Sequence, residues 1–321
     1  MSMKKNALPP ARKMDKLQPH SMAEKPVLQS EGAELESLLG ELQKERSVKE
    51  ICGWETGFAN LSRALDGILP GLYLLIGPPA CGKTSLAKQL LDQVARHNSV
   101  PGIFFTFAER RKELGIKTLA RLSEIDSREI RRGSAYLLHW YGVPKAHHSD
   151  AEGLAPSWDK ITKSAQEAKP WLDLVYVVEC SRGTDLAEIK SHIGDVQSTN
   201  HANRVIAVID NCQRLGAIDQ PLNARLPIIA EQLQETAVYL NIPILGVWPD
   251  LREDRGSLPQ LWCERVPSAD VILVLEPKAG ESKHATEPGR ATTLHIVRNR
   301  GGEKGTLMFD FFPPFAKFVE R

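Results

Sequence analysis

Short apolar runs alternate with amphipathic segments along most of the chain, from residue 53 onward. Helical spacing separates most of these runs, as in residues 225–240, where Leu226, Ile229 and Leu233 recur three and four positions apart. Strands that are apolar throughout and separated by helices are typical of a parallel sheet covered on both faces. We therefore predict an α/β fold with a mostly parallel sheet flanked by helices, whose strands cover residues 72–76, 103–107, 174–178, 205–209, 242–247 and 271–275.

The last part of the chain departs from this alternation. Residues 292–297 and 306–312 are joined by a glycine-bearing turn, which predicts a late antiparallel hairpin on the sheet edge. Residues 134–170 contain Pro, His and Trp and have little periodicity, so we interpret them as an inserted loop region with one helix near residues 158–168.

The N-terminal segments differ in composition from the rest. Residues 1–30 have no apolar period and predict a disordered arm. Residues 31–52 carry leucines at spacings of three and four among Glu, Gln and Lys, which predicts an amphipathic linker helix. This helix docks either on its own domain or on a neighbouring subunit, and the pattern leaves both open. Residues 53–321 form the principal predicted domain.

Composition excludes several classes of protein. The 321 residues include 41 Lys and Arg against 40 Asp and Glu, a formal net charge of +1, which excludes a strongly basic coat for nucleic acid. No apolar run reaches the 18 or so residues of a membrane span, and the first residues lack the apolar core of a secretory signal. The five cysteines form no CxxC pair, which favours a reducing, cytoplasmic location.

A complete phosphate-binding motif follows the first predicted strand and precedes a helical stretch. Glycines let backbone N–H groups turn inward around a phosphate, and the N-terminus of the helix adds its positive dipole end. In this motif Lys83 reaches the β- and γ-phosphates of a nucleotide, and the hydroxyl of Thr84 ligates Mg²⁺. The predicted nucleotide-binding residues are Gly77, Pro78, Pro79, Ala80, Cys81, Gly82, Lys83, Thr84 and Ser85.

Two carboxylates follow other predicted strands. Asp210 ends the apolar run 205–209, where it is expected to hold Mg²⁺ together with Thr84. Glu109 follows the run 103–107 and is a candidate for orienting the attacking water. Because Glu109 also opens a charged run that extends to Glu113, a solvated surface position is the alternative.

Several segments together resemble the C-terminal motor domain of DnaB-type replicative helicases, a RecA-like ATPase, and its KaiC/RadA-like relatives. Residues 56–71 look like the entry to a RecA-like core, and Asp210-Asn211-Cys212-Gln213 looks like the family's Asp-x-x-Gln. Residues 105–109 are closer to the KaiC pattern, which ends in Glu. Arg298-Asn299-Arg300 resembles a late Lys-x-Arg pair. The resemblance covers residues 53–319.

The resemblance implies a function and an assembly. It implies an ATP- and Mg²⁺-dependent helicase for DNA replication that acts on single-stranded DNA as a homo-hexameric ring. Arg298 and Arg300 would complete the ATP site of the next subunit, and Arg252, Arg255 and Arg265 would face the central channel. The alternative is a KaiC/RadA-like assembly or recombination ATPase without processive unwinding.

The segment after the fifth strand departs from the family. Helicases of this type carry a Ser-Gln pair there, whose Gln senses the γ-phosphate, whereas this chain has Trp248 and Pro249. Neither side chain can form the hydrogen bonds of an amide. The charges of residues 252–265 also nearly cancel, so we expect weak coupling between DNA binding and ATP turnover.

Overall fold

The computed structural model describes residues 30–44, 51–132, 155–216, 221–250, 261–277 and 289–321. The chain divides into two units, Met1–Lys49 and Glu50–Arg321. In the first unit the described residues form helix α1 (Glu31–Lys44), on which Leu35, Leu38 and Leu39 are exposed. This helix lies within residues 31–52, the segment predicted as an amphipathic linker helix, and nearly all of the predicted arm lies outside the described residues.

The second unit is an open sheet with helices on both faces. Its described helices are α2 (Ala59–Leu65), α3 (Lys83–Asn98), α4 (Arg111–Ser123), α5 (Ser127–Arg132), α6 (Ala155–Leu172), α7 (Leu186–Asn200), α8 (Leu222–Leu240) and α9 (Leu261–Arg265). Its described strands are β1 (Gly71–Gly77), β2 (Gly102–Thr106), β3 (Val175–Glu179), β4 (Ile206–Asp210), β5 (Pro243–Pro249), β6 (Val271–Pro277), β7 (Arg290–Asn299), β8 (Gly305–Phe312) and β9 (Lys317–Glu320).

The nine strands lie in the order β3-β2-β4-β5-β1-β6-β7-β8-β9. The first six are parallel, and β7, β8 and β9 continue the sheet in antiparallel pairs. The predicted parallel sheet and late hairpin are therefore confirmed. The hairpin's position at the sheet edge was wrong, because β9 pairs with β8 and takes the edge. This strand has four residues, too few to show a period of its own.

The core consists of two layers that the sheet separates. Along β1, Leu72, Leu74 and Ile76 join the cluster packed against α7 and α8. The alternate residues Tyr73 and Leu75 join the opposite cluster, which includes the apolar face of α3. Because successive side chains of a strand point to opposite faces, a run of apolar residues supplies both layers.

The ends of four parallel strands meet at one edge of the sheet. Gly77 of β1 is the neighbour of Pro249 of β5, and Asp210 of β4 lies between Thr106 and Val247. The loops that follow these strands therefore converge. None of the described helices has the length and apolar character that a bilayer span requires.

A buried cluster of charged residues joins α3 to α4. The Lys88 ammonium lies 2.5 Å from Oδ1 of Asp92, and the Arg121 guanidinium is paired with Oδ2 of the same carboxylate. The three side chains are between 3% and 7% exposed. Burial lowers the pKa of both Lys88 and Arg121, and the Asp92 carboxylate opposes this shift. One carboxylate thus holds two buried cations.

We predict that Asp92→Asn lowers the free energy of unfolding by about 3–5 kcal/mol, because it leaves two adjacent buried cations without their counter-charge. Urea denaturation at pH 7.5 measures the change. The matched control is Asp173→Asn, which breaks an exposed pair with Lys169 at 2.7 Å and should cost less than about 0.5 kcal/mol. Equal effects of the two substitutions would contradict this interpretation of the cluster.

Candidate functional site: a nucleotide cleft

A cleft of about 520 Å³ opens at the edge of the sheet where the parallel strands end. The phosphate loop and the start of α3 form its floor. Glu109, Lys117, Ser127 and Asn211 line the cleft, together with residues from the C-terminal strands. The cleft thus brings together segments that are more than 200 positions apart in the sequence.

The phosphate loop is held open by two residues with left-handed backbone. Ala80 has φ 63° and Gly82, which precedes the first residue of α3, has φ 98°. A Cβ atom on Gly82 would lie 2.8 Å from the ring of Phe318 and 2.9 Å from that of Phe311. Only glycine satisfies both the backbone conformation and the close approach of these rings.

The C-terminal strand braces the helix that follows the loop. The Gln89 side chain donates to the Phe318 carbonyl at 2.9 Å and accepts from the Phe318 amide at 2.8 Å. The rings of Phe311 and Phe318 stack with centroids 4.3 Å apart. The last residues of the chain therefore help to fix the position of α3.

Lys83 lies folded back on the loop. Its Nζ donates to the carbonyl oxygens of Gly77 at 2.8 Å and Pro78 at 2.7 Å. Burial lowers its pKa, and the nearby Cys81, Asp210 and Asp250 oppose that shift. A phosphate in the loop would offer this ammonium oxygen ligands that carry a full charge in place of neutral carbonyls.

Asp210 lies at the end of β4 and is fully buried. Thr84 donates its hydroxyl proton to Oδ2 of Asp210 at 2.7 Å, while Oδ1 is buried without a hydrogen-bond partner. Burial raises the pKa of Asp210 to about 6; the Thr84 bond lowers it, and the charge of Glu109 raises it further. This pair was predicted to hold Mg²⁺, and the hydroxyl and the free carboxylate oxygen fit such an ion, which prefers oxygen ligands.

Glu109 lies in the cleft, as the catalytic interpretation requires. The backbone amide of Glu109 donates a hydrogen bond to the Thr106 hydroxyl at 3.0 Å, and this bond shapes the turn after β2. Its Oε1 lies 2.5 Å from Nζ of Lys117 on α4, and its Oε2 is buried without a partner. Glu109 is thus a cleft residue with one carboxylate oxygen tied and one free.

Part of the cleft lining comes from residues that the sequence did not single out. Arg290 is the first residue of β7 and is paired with Phe311 of β8. Both residues line the cleft, as do Pro313 and Ala316, which follow β8 in the chain. Arg290 forms no side-chain hydrogen bond or ion pair within the described part of the chain. No pattern in the sequence singles out Arg290 or Lys117, because each reaches the cleft only through the packing of distant elements.

Arg298 and Arg300 lie at the opposite end of the strands from the phosphate loop. Asn299, between them, is paired with Val271, which is the neighbour of Tyr73 at the start of β1. The phosphate loop begins four residues further along β1, about 13 Å along the strand direction at about 3.3 Å per residue. Neither arginine therefore lies beside the phosphate loop of its own chain.

The two arginines have different surroundings. The Arg298 guanidinium donates to four carbonyl oxygens, those of Cys263, Val266, Pro267 and Ala269, at 2.6–3.2 Å. The Arg300 side chain is 68% exposed, with Nη1 at 2.9 Å from Oδ1 of Asp270. Arg300 is the more available of the two for a contact outside the chain.

Of the three predicted DNA-binding arginines, Arg252 and Arg255 lie outside the described residues. Arg265 is exposed at the end of α9, with its guanidinium 5.3 Å from the ring centre of Trp262. Trp248, which stands where the family carries part of its polar pair, is fully buried in the core. It is a core residue and offers nothing to the cleft.

Together, the sheet order, the phosphate loop and the Thr84–Asp210 pair define a RecA-like P-loop nucleotide-binding domain. The family model for the DnaB-like helicase C terminal domain matches residues 53–320. The chain therefore belongs to the DnaB-like helicase C-terminal domain family, as the resemblance indicated.

Individual relatives agree with this assignment. The chain is 25% identical over 299 residues to the replicative DNA helicase DnaB of Pasteurella multocida, an alignment that covers 86% of this chain and 57% of the relative. It is 24% identical over 325 residues to the DnaB of Haemophilus influenzae, which covers 93% and 63%. The chain thus spans about three fifths of the length of these relatives.

Solved structures show the same fold. The ATPase domain of G40P superposes with a TM-score of 0.71 at 19% identity, over 91% of this chain and 99% of that one. A DnaB-like replicative helicase, studied with its primase interactions, superposes with a TM-score of 0.69 at 19% identity, over 90% and 70%.

We predict that Asp210→Asn stabilises the nucleotide-free protein. The pKa of Asp210 is 3.8 ordinarily and about 6 when folded, so the folded state binds the proton more tightly and stability falls as pH rises through that window. At pH 7.5 the substitution should add about 1–3 kcal/mol to the free energy of unfolding, with little gain at pH 4. Urea titrations at both pH values measure this. No gain at pH 7.5, judged beside the exposed control Asp195→Asn, would contradict it.

Proposed function

We propose that this chain is an ATP-hydrolysing motor of the DnaB type that acts on single-stranded DNA as a homo-hexameric ring. The observation that carries the proposal is the convergence of Lys83, the Thr84–Asp210 pair and Glu109 on one cleft. Membership of the DnaB-like family supports the substrate and the ring.

Each cleft residue has a role in this proposal. Backbone amides of the phosphate loop and Lys83 bind the β- and γ-phosphates, and Thr84 and Asp210 hold Mg²⁺, which supplies positive charge next to the phosphates. Glu109 accepts a hydrogen bond from the attacking water through its free Oε2 and orients it. Lys117 holds the other oxygen and so fixes the direction in which the carboxylate faces.

The apolar part of the cleft lining suits the base and sugar. Phe311 and Pro313 supply apolar surface there, and Arg290 supplies a cation. A planar base can stack on such surfaces regardless of its identity, and the guanidinium can approach either the base or a phosphate.

Arginines from the next subunit complete the site. Arg298 and Arg300 lie at the edge of the sheet away from their own phosphate loop, so a contact with a γ-phosphate needs a second copy of the chain. A cation placed across a subunit boundary stabilises the charge that develops during phosphoryl transfer. The exposed Arg300 is the better placed to reach it, while the carbonyl bonds of Arg298 hold the end of β7 to α9 and to the residues that follow α9.

The alternative function is an assembly or recombination ATPase of the KaiC/RadA type that does not unwind processively. The burial of Trp248 favours it, because no amide side chain stands at that strand end to join the γ-phosphate to the channel segment. A strand-displacement assay on a forked duplex distinguishes the two: robust unwinding supports the helicase, and its absence beside retained ATPase activity supports the alternative.

We predict that Lys83→Ala abolishes Mg·ATP binding, whereas Glu109→Gln keeps binding and lowers turnover by about 100-fold or more. Calorimetry measures the first effect, and phosphate release with and without single-stranded DNA measures the second. Stimulation of the wild type by DNA should stay below about tenfold, about 1.4 kcal/mol of coupling.

The matched control for Glu109→Gln is Glu113→Gln, in the same charged run but paired with Arg131 on the surface. It should turn over normally. Normal turnover by Glu109→Gln as well would contradict the catalytic role and would favour the alternative, in which Glu109 is part of the solvated charged run.

We predict that Arg300→Ala is inactive alone but recovers activity when mixed with inactive Lys83→Ala. In a mixed ring about a quarter of the interfaces join an intact cleft to an intact arginine. Phosphate release by refolded or exchanged mixtures measures the recovery.

The control mixture combines Lys83→Ala with Glu109→Gln. Both residues belong to one chain's cleft, so no interface in such rings has a complete site, and activity should stay absent. Recovery in both mixtures, or in neither once mixed rings are demonstrated, would contradict the action of Arg300 in trans.

A further inference from the structure

One carboxylate joins Arg300 to the start of the central strand β1. Asp270 directly precedes β6, and its Oδ1 forms an ion pair with Nη1 of Arg300 at 2.9 Å. Its other oxygen, Oδ2, accepts a hydrogen bond from the backbone amide of Leu72 at 2.8 Å. The two oxygens of this carboxylate therefore have different partners, one in β1 and one in the residue that follows β7.

Backbone contacts fix the position of Asp270 on both sides. Its amide donates to the Leu72 carbonyl at 3.0 Å, and its own carbonyl accepts from the Arg300 amide at 3.1 Å. Gly71 permits this close packing, because its φ is 147° and a Cβ atom there would lie only 2.7 Å from Oδ2 of Asp270. The Asp270 side chain is 15% exposed, so its own chain holds the carboxylate in one place.

The ion pair leaves the guanidinium of Arg300 available to a further ligand. Within the described part of the chain, Arg300 makes this ion pair and no side-chain hydrogen bond, and its side chain is 68% exposed. A guanidinium has five N–H donors in a planar fork, which matches the oxygens of a phosphate. Arg300 can therefore stay paired with Asp270 while its other N–H groups face a phosphate.

Arg298 differs from Arg300 in this respect. Its guanidinium donates to four carbonyl oxygens, which leaves few donors for another ligand. An arginine side chain also has a large rotamer entropy, and it loses less of this entropy on binding when its orientation is fixed beforehand. The pairing with Asp270 fixes Arg300 by charge without consuming its donors.

We propose that Asp270 is a positioning residue for Arg300, which it orients toward the γ-phosphate of the nucleotide bound by the next subunit. The inference rests on the proposed action of Arg300 in trans. Asp270 acts through the arginine and adjoins the start of β1, whereas the phosphate loop of its own chain follows the end of that strand. The cation is thereby in place when negative charge develops on the phosphate.

Asp270→Asn separates the two partners of the carboxylate. Asparagine has one acceptor oxygen, which can still accept from the Leu72 amide, and an NH₂ group that cannot pair with a guanidinium. We expect ATP turnover in the presence of single-stranded DNA to fall about tenfold, while KM for ATP changes by less than about twofold. Binding of ADP with Mg²⁺, measured by calorimetry, should be unchanged because the variant's own cleft is intact.

Mixed rings show in which subunit the defect acts. An equimolar mixture of Asp270→Asn with inactive Lys83→Ala contains interfaces that join an intact cleft to an intact Asp270–Arg300 pair. If Asp270 acts across the boundary, random assembly and a tenfold defect give about a quarter of wild-type turnover per chain; a defect in the variant's own cleft gives about a twentieth. Wild type mixed with Lys83→Ala is the reference for the effect of inactive subunits.

Two further variants make the comparison specific. Asp310→Asn removes a carboxylate of β8 that accepts from Nε of Arg321 at 2.9 Å. It breaks a different arginine pair and should keep turnover within about twofold of wild type. Asp270→Ser has a hydroxyl that can accept from the Leu72 amide, and it should reproduce both the loss and its recovery in mixed rings. Thermal melts establish that each variant is folded at the temperature of the measurement.

Turnover by Asp270→Asn that equals or exceeds that of wild type would overturn the positioning role. A loss that mixed rings do not restore, or failure of both Asp270 variants to fold, would also overturn it, because the residue would then be structural. In each case, recovery in the mixture of Arg300→Ala with Lys83→Ala would leave the proposed function intact. A wild-type chain that hydrolyses no ATP, or normal turnover by Arg300→Ala, would instead overturn the proposed action in trans and this inference with it.

Discussion

The parallel hydrogen-bond register between β1, β2, β4 and β5 is the constraint on which the site depends. It brings Gly77 next to Pro249, and Asp210 between Thr106 and Val247, at one edge of the sheet. In a sheet, a slip of one residue would turn each side chain to the opposite face. Because both faces are packed with apolar residues, such a slip is disfavoured across the whole core, and the geometry of the cleft is protected by burial that has no part in its chemistry.

The buried carboxylate of the core and that of the cleft differ in the partners that surround them. Asp92 is neutralised by the two buried cations Lys88 and Arg121. Its removal would leave these two positive charges next to each other without a counter-charge. Asp210 is just as buried but has only a neutral hydroxyl on one oxygen and no partner on the other. A buried carboxylate in that condition is unfavourable for folding, and proteins retain such groups where a ligand supplies the missing charge. The contrast between the two aspartates therefore supports a cationic ligand at Asp210.

Much of the fold could be predicted from the sequence because its strongest signals are local. Continuous apolar runs and their helical spacers identified six of the nine strands in the described part of the chain, and the hairpin added two. The phosphate loop and Asp210 could be predicted for the same reason, because each directly follows a strand. Lys117 and Arg290 were missed because they reach the cleft from α4 and β7, and nothing in the spacing of a sequence shows that two such elements pack at one edge. The four-residue β9 was missed because its pairing with β8 is a tertiary effect.

The residues of the phosphate site and the two C-terminal arginines lie at opposite ends of the strands. Lys83, Asp210 and Glu109 lie where the parallel strands end, whereas β7 runs antiparallel to β6 and carries Arg298 and Arg300 to the opposite edge. A single chain that separates its phosphate site from its arginines in this way cannot bring them together by side-chain motion alone. If the arginines act on a phosphate, they act on that of another copy, and each site is complete only between two chains. Under that arrangement β7 would connect two sites, because Arg290 at its start lines one cleft, while its far end, which carries Arg298, is held by four carbonyl bonds to α9 and the residues that follow α9.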